Sequence, residues 1–312
     1  MSLALVAMSH SPLIDHVEPS PGVTEELVGV FDRTRDFVRE IDPELIITFA
    51  PDHYNGFFYD LMPTCCIGTA AYGIGDYGSA TGDLPVPTEL AASLAAAVLA
   101  DGVDVAVSHR MALDHGAVQP LETLFGGIEG VPVIPVFVNG VAPPFSPMQR
   151  IRLLGEAIGR WADARPERIL LIASGGLSHD PPVPQWATAN DQQRAMLLAG
   201  RNPTPEARAA RQQRVIDAAA DFAAGRASIL DLNPDWDLQF MERCAAGDPV
   251  VFDSYDPDMM TTEAGNSSHE VRAWVAAVSA LAAAGAYRVT DRYYRALPEF
   301  IAGFGVLTAR TS

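Results

Sequence analysis

Four of the chain's seven histidines lie just beyond apolar runs that are typical of buried β-strands. They are His10, His53, His115 and His179. Ligands of an open α/β sheet bind beyond the carboxyl ends of its strands, so histidines at these places can meet in one crevice. Imidazole binds divalent transition metals and also transfers protons near neutral pH. The pattern therefore predicts a metal site that has catalytic histidines around it.

A carboxylate is the expected partner of two histidines in such a site. Two histidines and one carboxylate on one face of a metal are the ligand set of non-haem Fe(II) oxygenases. Glu270 is our candidate for this third ligand, beside His10 and His53. The spacing Ser267-x-x-Glu270 fits a capping box equally well, in which Glu270 would only bond to the amide groups of a helix N-terminus. The competing carboxylates are Asp52, Asp180 and Glu263.

His115 and His179 lie in glycine-containing loops after predicted strands. Because glycine lets the backbone approach a ligand closely, both histidines could face a bound substrate. We expect them to carry protons there without binding the metal. A Ser/His/Asp triad that uses Ser174 or Ser178 is a weaker alternative, since the chain has no GxSxG motif.

Strand-like and helix-like segments alternate over the first two thirds of the chain, which is typical of an α/β fold with a mostly parallel central sheet flanked by helices. Residues 183–260 are polar and rich in Ala, Arg and Gln, so we predict a helical insertion that covers the sheet. We expect a single domain over residues 1–312. The predicted strands are residues 3–8, 45–50, 103–108, 131–138 and 168–174, and the predicted helices are 23–40, 87–101, 118–126, 147–163 and 268–284.

The composition excludes several classes of function. The net charge is -18 over 312 residues, which argues against binding to nucleic acid or to an anionic membrane surface. Every basic side chain is an arginine, so no lysine can form a Schiff base or bind a phosphate. The three cysteines lack the spacing of a zinc ribbon or a disulfide framework. With no basic region followed by a signal-length apolar stretch near residue 1, we expect a cytoplasmic protein.

Five short segments of the chain carry a family resemblance when they are taken in order. They resemble the class III extradiol ring-cleavage dioxygenases, which share a fold with the catalytic subunit of protocatechuate 4,5-dioxygenase. The resemblance implies Fe(II) held by His10, His53 and Glu270, with His115 and His179 as the acid/base pair. It also implies a catechol and O2 as substrates. We expect the chain to form a homo-oligomer. The segments are Ser9-His10-Ser11-Pro12-Leu13, residues 49–60, Asp114-His115-Gly116, residues 174–179 and Ser268-His269-Glu270.

Within this class the chain is most similar to enzymes whose catechol carries an acidic side chain. In a strongly acidic protein without lysine, a local arginine must offset that charge. Our candidates are Arg292 and Arg295, because their aromatic neighbours could line a ring pocket. The alternative is that both are surface arginines, paired with Asp291 and Glu299.

Two other functions stay open for a chain with these residues. One is a zinc-dependent hydrolase that uses the same ligands, and the other is a non-catalytic interaction protein on the same fold. The presence of all five candidate residues argues against the second.

Overall fold

Eleven strands form two sheets in the structure, which is a computed structural model that describes residues 3–311. The strands are β1 (Ala4–Met8), β2 (Leu45–Ala50), β3 (Cys65–Gly68), β4 (Ala71–Ile74), β5 (Thr81–Asp83), β6 (Ala106–Ser108), β7 (Met111–Leu113), β8 (Val133–Val138), β9 (Ile169–Ser174), β10 (Tyr287–Leu297) and β11 (Ala302–Thr311). The large sheet has the order β10-β11-β1-β9-β2-β8-β3-β6, and the small one has the order β5-β4-β7.

The middle of the large sheet is parallel. β1, β9, β2 and β8 run side by side in the same direction, whereas β11 is antiparallel to β1, and β3 is antiparallel to β8. These four strands are nearly continuous apolar runs with every residue buried, as expected for strands that are covered on both faces. The predicted α/β fold with a mostly parallel sheet is confirmed.

The strand register brings the predicted loops together. Met8 pairs with Ser174 across β1 and β9, and Phe49 pairs with Ala173 across β2 and β9. The carboxyl ends of three adjacent parallel strands therefore lie at one edge of the sheet. The loops that carry His10, His53 and His179 all begin at that edge.

Helices cover both faces of the large sheet. α2, α4 and α9 share one buried apolar cluster with the sheet, and α1 and α3 share the other. The helices are α1 (Val23–Ile41), α2 (Thr88–Ala100), α3 (His115–Phe125), α4 (Met148–Asp163), α5 (Asp191–Ala199), α6 (Pro205–Ala223), α7 (Pro234–Ala245), α8 (Pro257–Ala264) and α9 (Val271–Ala284).

α9 packs very closely on α4 because glycines of α4 face it. A Cβ atom at Gly155 would lie 2.1 Å from the carbonyl oxygen of Ala276, and one at Gly159 would lie 2.1 Å from that of Ala280. Residues 271–281 of α9 are all buried. The rigid placement of α9 matters for the site, since Glu270 immediately precedes this helix.

Residues 183–260, all of which are described, contain helices and no strand, in line with the helical segment predicted there.

Six strands were not predicted from the sequence: β3, β4, β5, β7, β10 and β11. The expectation that all four histidines follow strands of one sheet is wrong for His115. The strand directly before His115 is β7, which belongs to the small sheet. Within residues 3–311, no helix is long and apolar enough to cross a membrane.

Candidate active site

The structure brings the five predicted central residues together at the carboxyl edge of the sheet. His10, His115, His179 and Glu270 are buried, and His53 is partly buried. The ring centroids of His10 and His53 lie 5.3 Å apart, and those of His53 and His115 lie 4.6 Å apart in a stacked arrangement. The ligand atoms of His10, His53 and His115 all lie within 4.8 Å of one another.

The Glu270 carboxylate points at the histidines and not at the helix end. Its Oε1 lies 3.1 Å from Nε2 of His53 and 3.1 Å from Nε2 of His179. Its Oε2 lies 3.6 Å from Nε2 of His10 and accepts a hydrogen bond from the Gly176 N–H at 3.0 Å. The side chain of Ser267 makes no capping bond. This geometry contradicts the capping-box alternative for Glu270.

The outer nitrogens of His10 and His53 both bond to oxygen atoms. Nδ1 of His10 lies 2.9 Å from Oγ of Ser174, and that hydroxyl donates its own proton to the carbonyl of Gly116. Ser174 must therefore accept from His10, which places a proton on Nδ1 of His10 and leaves its Nε2 with a lone pair. Nδ1 of His53 lies 3.0 Å from Oδ2 of Asp114 and likewise donates to it.

His115 and His179 are held in the same way. Nδ1 of His115 lies 2.5 Å from Oδ2 of Asp76, and Nδ1 of His179 lies 2.9 Å from the carbonyl oxygen of Leu177. Both oxygens are acceptors, so both rings carry a proton on Nδ1. All four imidazoles thus use Nδ1 to fix their orientation, which is the usual arrangement of histidines around a metal.

The inner faces of these residues fit a divalent cation. Burial lowers the pKa of His10 to about 3 although the Glu270 charge opposes it, so the ring is neutral. A lone pair on Nε2 of His10 then faces the carboxylate of Glu270, and two acceptors repel each other unless a cation lies between them. Among residues 3–311, no guanidinium pairs with this buried carboxylate. A metal ion between His10 and Glu270 would accept a lone pair from each and remove this repulsion.

Charges within the cluster shift the other pKa values. Burial lowers the pKa of His53, but the Asp114 and Glu270 carboxylates raise it by more, and the net pKa is well above 6.5. For His179, burial again lowers the pKa and the Glu270 carboxylate outweighs it. Burial raises the pKa of Glu270, but the charge of His179 and the hydrogen bonds from His179 and His53 hold it well below 4.5. Without metal, the site therefore holds an anionic carboxylate against protonated imidazoles.

The competing carboxylates lie away from the cluster centre. Asp52 accepts hydrogen bonds from the backbone amides of residues 55–57, and Asp180 bonds to Asn266. Glu263 is exposed. The first two stabilise the loops on which His53 and His179 lie.

Two aspartates that position histidines were missed in the sequence. Asp76 lies 39 residues before His115 and accepts from both its ring and its backbone N–H. Nothing in the spacing of the two could have linked them. Asp114 holds the His53 ring and also accepts the backbone N–H of His53 at 2.7 Å. In the sequence, only its position directly before His115 indicated that Asp114 belongs to the site.

Arg292 and Arg295 lie on β10, the edge strand of the large sheet. Arg292 is exposed, and Arg295 forms an ion pair with Glu26 of α1. Asp291, one of the partners considered for them, pairs with Arg33. These contacts favour the alternative that both are surface arginines.

Comparison with known proteins identifies the class to which this chain belongs. The family described as the catalytic LigB subunit of aromatic ring-opening dioxygenase matches residues 4–305. The chain belongs to this family, which confirms the resemblance to ring-cleavage dioxygenases and implies a metal cofactor.

Individual relatives agree over nearly the whole chain. A protein of Rhodococcus rhodochrous is 56% identical over 311 residues, with 99% of this chain and 98% of the relative covered. Its name is 2,3-dihydroxyphenylpropionate/2,3-dihydroxicinnamic acid 1,2-dioxygenase. Proteins of the same name from Rhodococcus globerulus and Cupriavidus pinatubonensis are 54% and 50% identical, at the same coverage. A crystal structure of an uncharacterized Escherichia coli K12 protein shares the fold, with a TM-score of 0.53, 13% identity and 99% of each chain covered.

Proposed function

We propose that the chain is an Fe(II)-dependent extradiol dioxygenase. Its substrates would be 3-(2,3-dihydroxyphenyl)propionate and 2,3-dihydroxycinnamate. With O2, the first would give a 2-hydroxy-6-oxo-dienedioate and the second the corresponding trienedioate. The names of relatives that are 50–56% identical support this choice of substrate. The observation that carries the proposal is the Glu270 carboxylate, which faces a neutral Nε2 of His10 at 3.6 Å. That contact calls for a cation.

His10, His53 and Glu270 are the proposed metal ligands. A rival set replaces Glu270 with His115, whose ligand atom also lies near those of the other two histidines. We favour Glu270 because its carboxylate lies 3.6 Å from Nε2 of His10 and 3.1 Å from Nε2 of His53, so a metal bound to both rings would lie next to it. Two neutral imidazoles and one carboxylate also form the ligand set that suits Fe(II). The chemistry that Fe(II) supplies when bound is the transfer of electron density from the catechol to O2.

His115 and His179 are the proposed proton carriers. The Asp76 carboxylate would hold the His115 ring with Nε2 free to take a proton, as the aspartate orients the histidine in a catalytic triad. The Leu177 carbonyl would hold His179 with Nε2 directed to the centre. One histidine of the pair would remove a catechol proton, and the other would return a proton to the opening ring. Burial of both excludes bulk water from these transfers.

Oxygen uptake tests the proposal. The metal-free protein is loaded anaerobically with Fe(II) or with Zn(II), and each form is mixed with a panel of catechols in an oxygen electrode. We expect one O2 consumed for each catechol, a ring-cleaved product, and uptake by the iron form only. Hydrolysis of an ester by the zinc form, with no oxygen uptake by the iron form, would instead support the zinc-dependent hydrolase.

Oligomeric state and location stay predictions. We propose a homo-oligomer, which light scattering of the purified protein can test. The proposed cytoplasmic location is supported by Cys65, Cys66 and Cys244, which are all free and buried as expected for a reducing compartment.

A further inference from the structure

α6 connects the rim of the sheet with the loop that carries His53. α6 packs on the turn Pro298–Phe300, and Phe222 near its C-terminal end belongs to the same apolar cluster as Phe300. Nearer its N-terminus, the Arg211 guanidinium donates hydrogen bonds to the backbone carbonyls of His53 and Tyr54. The helix therefore brings a positive charge to the backbone of a proposed metal ligand.

Arg211 belongs to a row of three arginines. Arg208, Arg211 and Arg214 are spaced three residues apart, so they are neighbours along one side of the helix. None of the three pairs with a carboxylate among residues 3–311, whereas Arg226 beyond the helix pairs with Asp221. In a chain with a net charge of -18, three cations without acidic partners next to the site are a feature that needs an explanation.

Arg208 has the clearest need for a partner. Its Nη1 atom is buried and has no hydrogen-bond partner within the described part of the chain. Leaving a buried charged donor unsatisfied costs free energy, so such groups usually bind an acceptor. A carboxylate is the acceptor that best matches a guanidinium, because its two oxygens can bond to two N–H groups at once.

Tyr77 lies between the arginines of α6 and the proton carrier His115. Tyr77 and His115 together line a cavity of about 280 Å³, and their rings lie 5.1 Å apart. Burial raises the pKa of Tyr77 to about 12, and the nearby charges of Arg211 and Arg214 oppose this rise. The same cavity is also lined by Asp15 and Glu122, which would repel an anionic side chain there.

We propose that Arg208 and Arg211 bind the side-chain carboxylate of the catechol substrate. A propionate side chain places its carboxylate about 4 Å from the ring, since three carbon–carbon bonds of about 1.5 Å each join them. A ring held beside His53 could therefore extend its carboxylate toward Arg211, which bonds to the His53 backbone, and toward Arg208 about one turn away on the same helix. This assignment rests on the proposed function, and it places the carboxylate site on α6 and not on β10.

The test compares an acidic substrate with a neutral one. Arg208→Gln should raise KM for 3-(2,3-dihydroxyphenyl)propionate by about 10- to 100-fold, as expected for the loss of a charge-assisted hydrogen bond. KM for 3-propylcatechol and kcat for both substrates should change little. Arg208→Lys should fall between wild type and Arg208→Gln, because it keeps the charge and loses the two-pronged geometry. Arg226→Gln is the matched control and should behave as wild type, because Arg226 is exposed beyond the end of α6 and pairs with Asp221.

Several results would overturn this assignment. They are an equal rise in KM for both catechols, an unchanged KM in Arg208→Gln, or a rise selective for the acidic catechol in Arg292→Gln or Arg295→Gln. Calorimetric binding of 3-phenylpropionate to wild type and Arg208→Gln gives a second readout that needs no turnover. If wild type oxidises neither catechol, the proposed function fails, and equal binding of 3-phenylpropionate to both proteins would then contradict the arginine site as well.

Discussion

Asp76→Asn is the substitution that best separates the proposed role of His115 from a role as metal ligand. Asp76 accepts from the backbone N–H of His115 at 2.8 Å through one oxygen and from Nδ1 at 2.5 Å through the other. In the variant, the amide oxygen can keep the backbone bond, so the NH2 group faces Nδ1. Nδ1 must then accept a hydrogen bond, and the ring proton moves to Nε2, where the lone pair is needed.

The magnitude follows from two effects. Loss of a charge-assisted hydrogen bond contributes about 1.5–3 kcal/mol, or roughly 10- to 150-fold in rate. The wrong tautomer of His115 should lower the rate further, since the comparable substitution in a serine protease triad lowers kcat by about 10⁴-fold. We therefore expect kcat of Asp76→Asn to fall by about 10²- to 10⁴-fold. Bound metal should stay at the wild-type level.

The assay is oxygen uptake by the iron-loaded variant, with metal content measured on the same sample. Asp256→Asn is the matched control, because it makes the same substitution at an exposed aspartate that caps α8 and has no contact with the site. It should keep full activity. Loss of metal in proportion to activity would make His115 a metal ligand, and a fall in kcat of less than about tenfold would show that Asp76 does not set the state of His115.

Three further predictions concern other parts of the structure. Replacing His115 or His179 with Gln should lower turnover by roughly 10²- to 10⁴-fold with normal iron content, and equal loss of iron would contradict the proton-carrier role. Because the pKa of His53 is raised without metal, metal binding at pH 7 should release protons, and the affinity for metal should fall as the pH falls. A pH indicator that detects no proton release on metal binding would refute this. Gly155→Ala should destabilise the fold by about 1–3 kcal/mol in urea unfolding, since its Cβ would meet α9, whereas Gly127→Ala, with open space around it, should not.

The parts of the fold that were predicted correctly are those with long apolar signals. The runs at β1, β2, β8 and β9 are buried on both faces, so the sequence pattern alone defines them. The strands β4, β5 and β7 have three or four residues each, too few for a periodic pattern. β10 is an edge strand with alternating half-buried and exposed residues, and its polar composition concealed it.

The site was predictable where chain position determines it. His10 and His53 follow β1 and β2 closely, so their meeting follows from a parallel sheet. The direction of Glu270 depends on tertiary packing, because α9 is held against the loop after β9, where the Trp274 indole N–H donates to the Gly175 carbonyl. For that reason the sequence could not separate ligation from capping.

The partnership of His115 with Asp76 depends on a contact between the small sheet and the start of α3. The arginines of α6 reach the site only through the path of the helical segment at residues 183–260. Neither arrangement is encoded in a local motif, so a single sequence could reveal neither.

The most direct test of the central claim is a crystal structure of the protein loaded anaerobically with Fe(II) and a catechol. The account predicts one metal ion about 2.0–2.3 Å from Nε2 of His10, Nε2 of His53 and a carboxylate oxygen of Glu270, by analogy with other first-row metal sites. Both catechol oxygens should face that ion, with His115 and His179 beside the ring and outside the metal's ligand set. A metal bound by His10, His53 and His115, with Glu270 outside its coordination, would contradict the account.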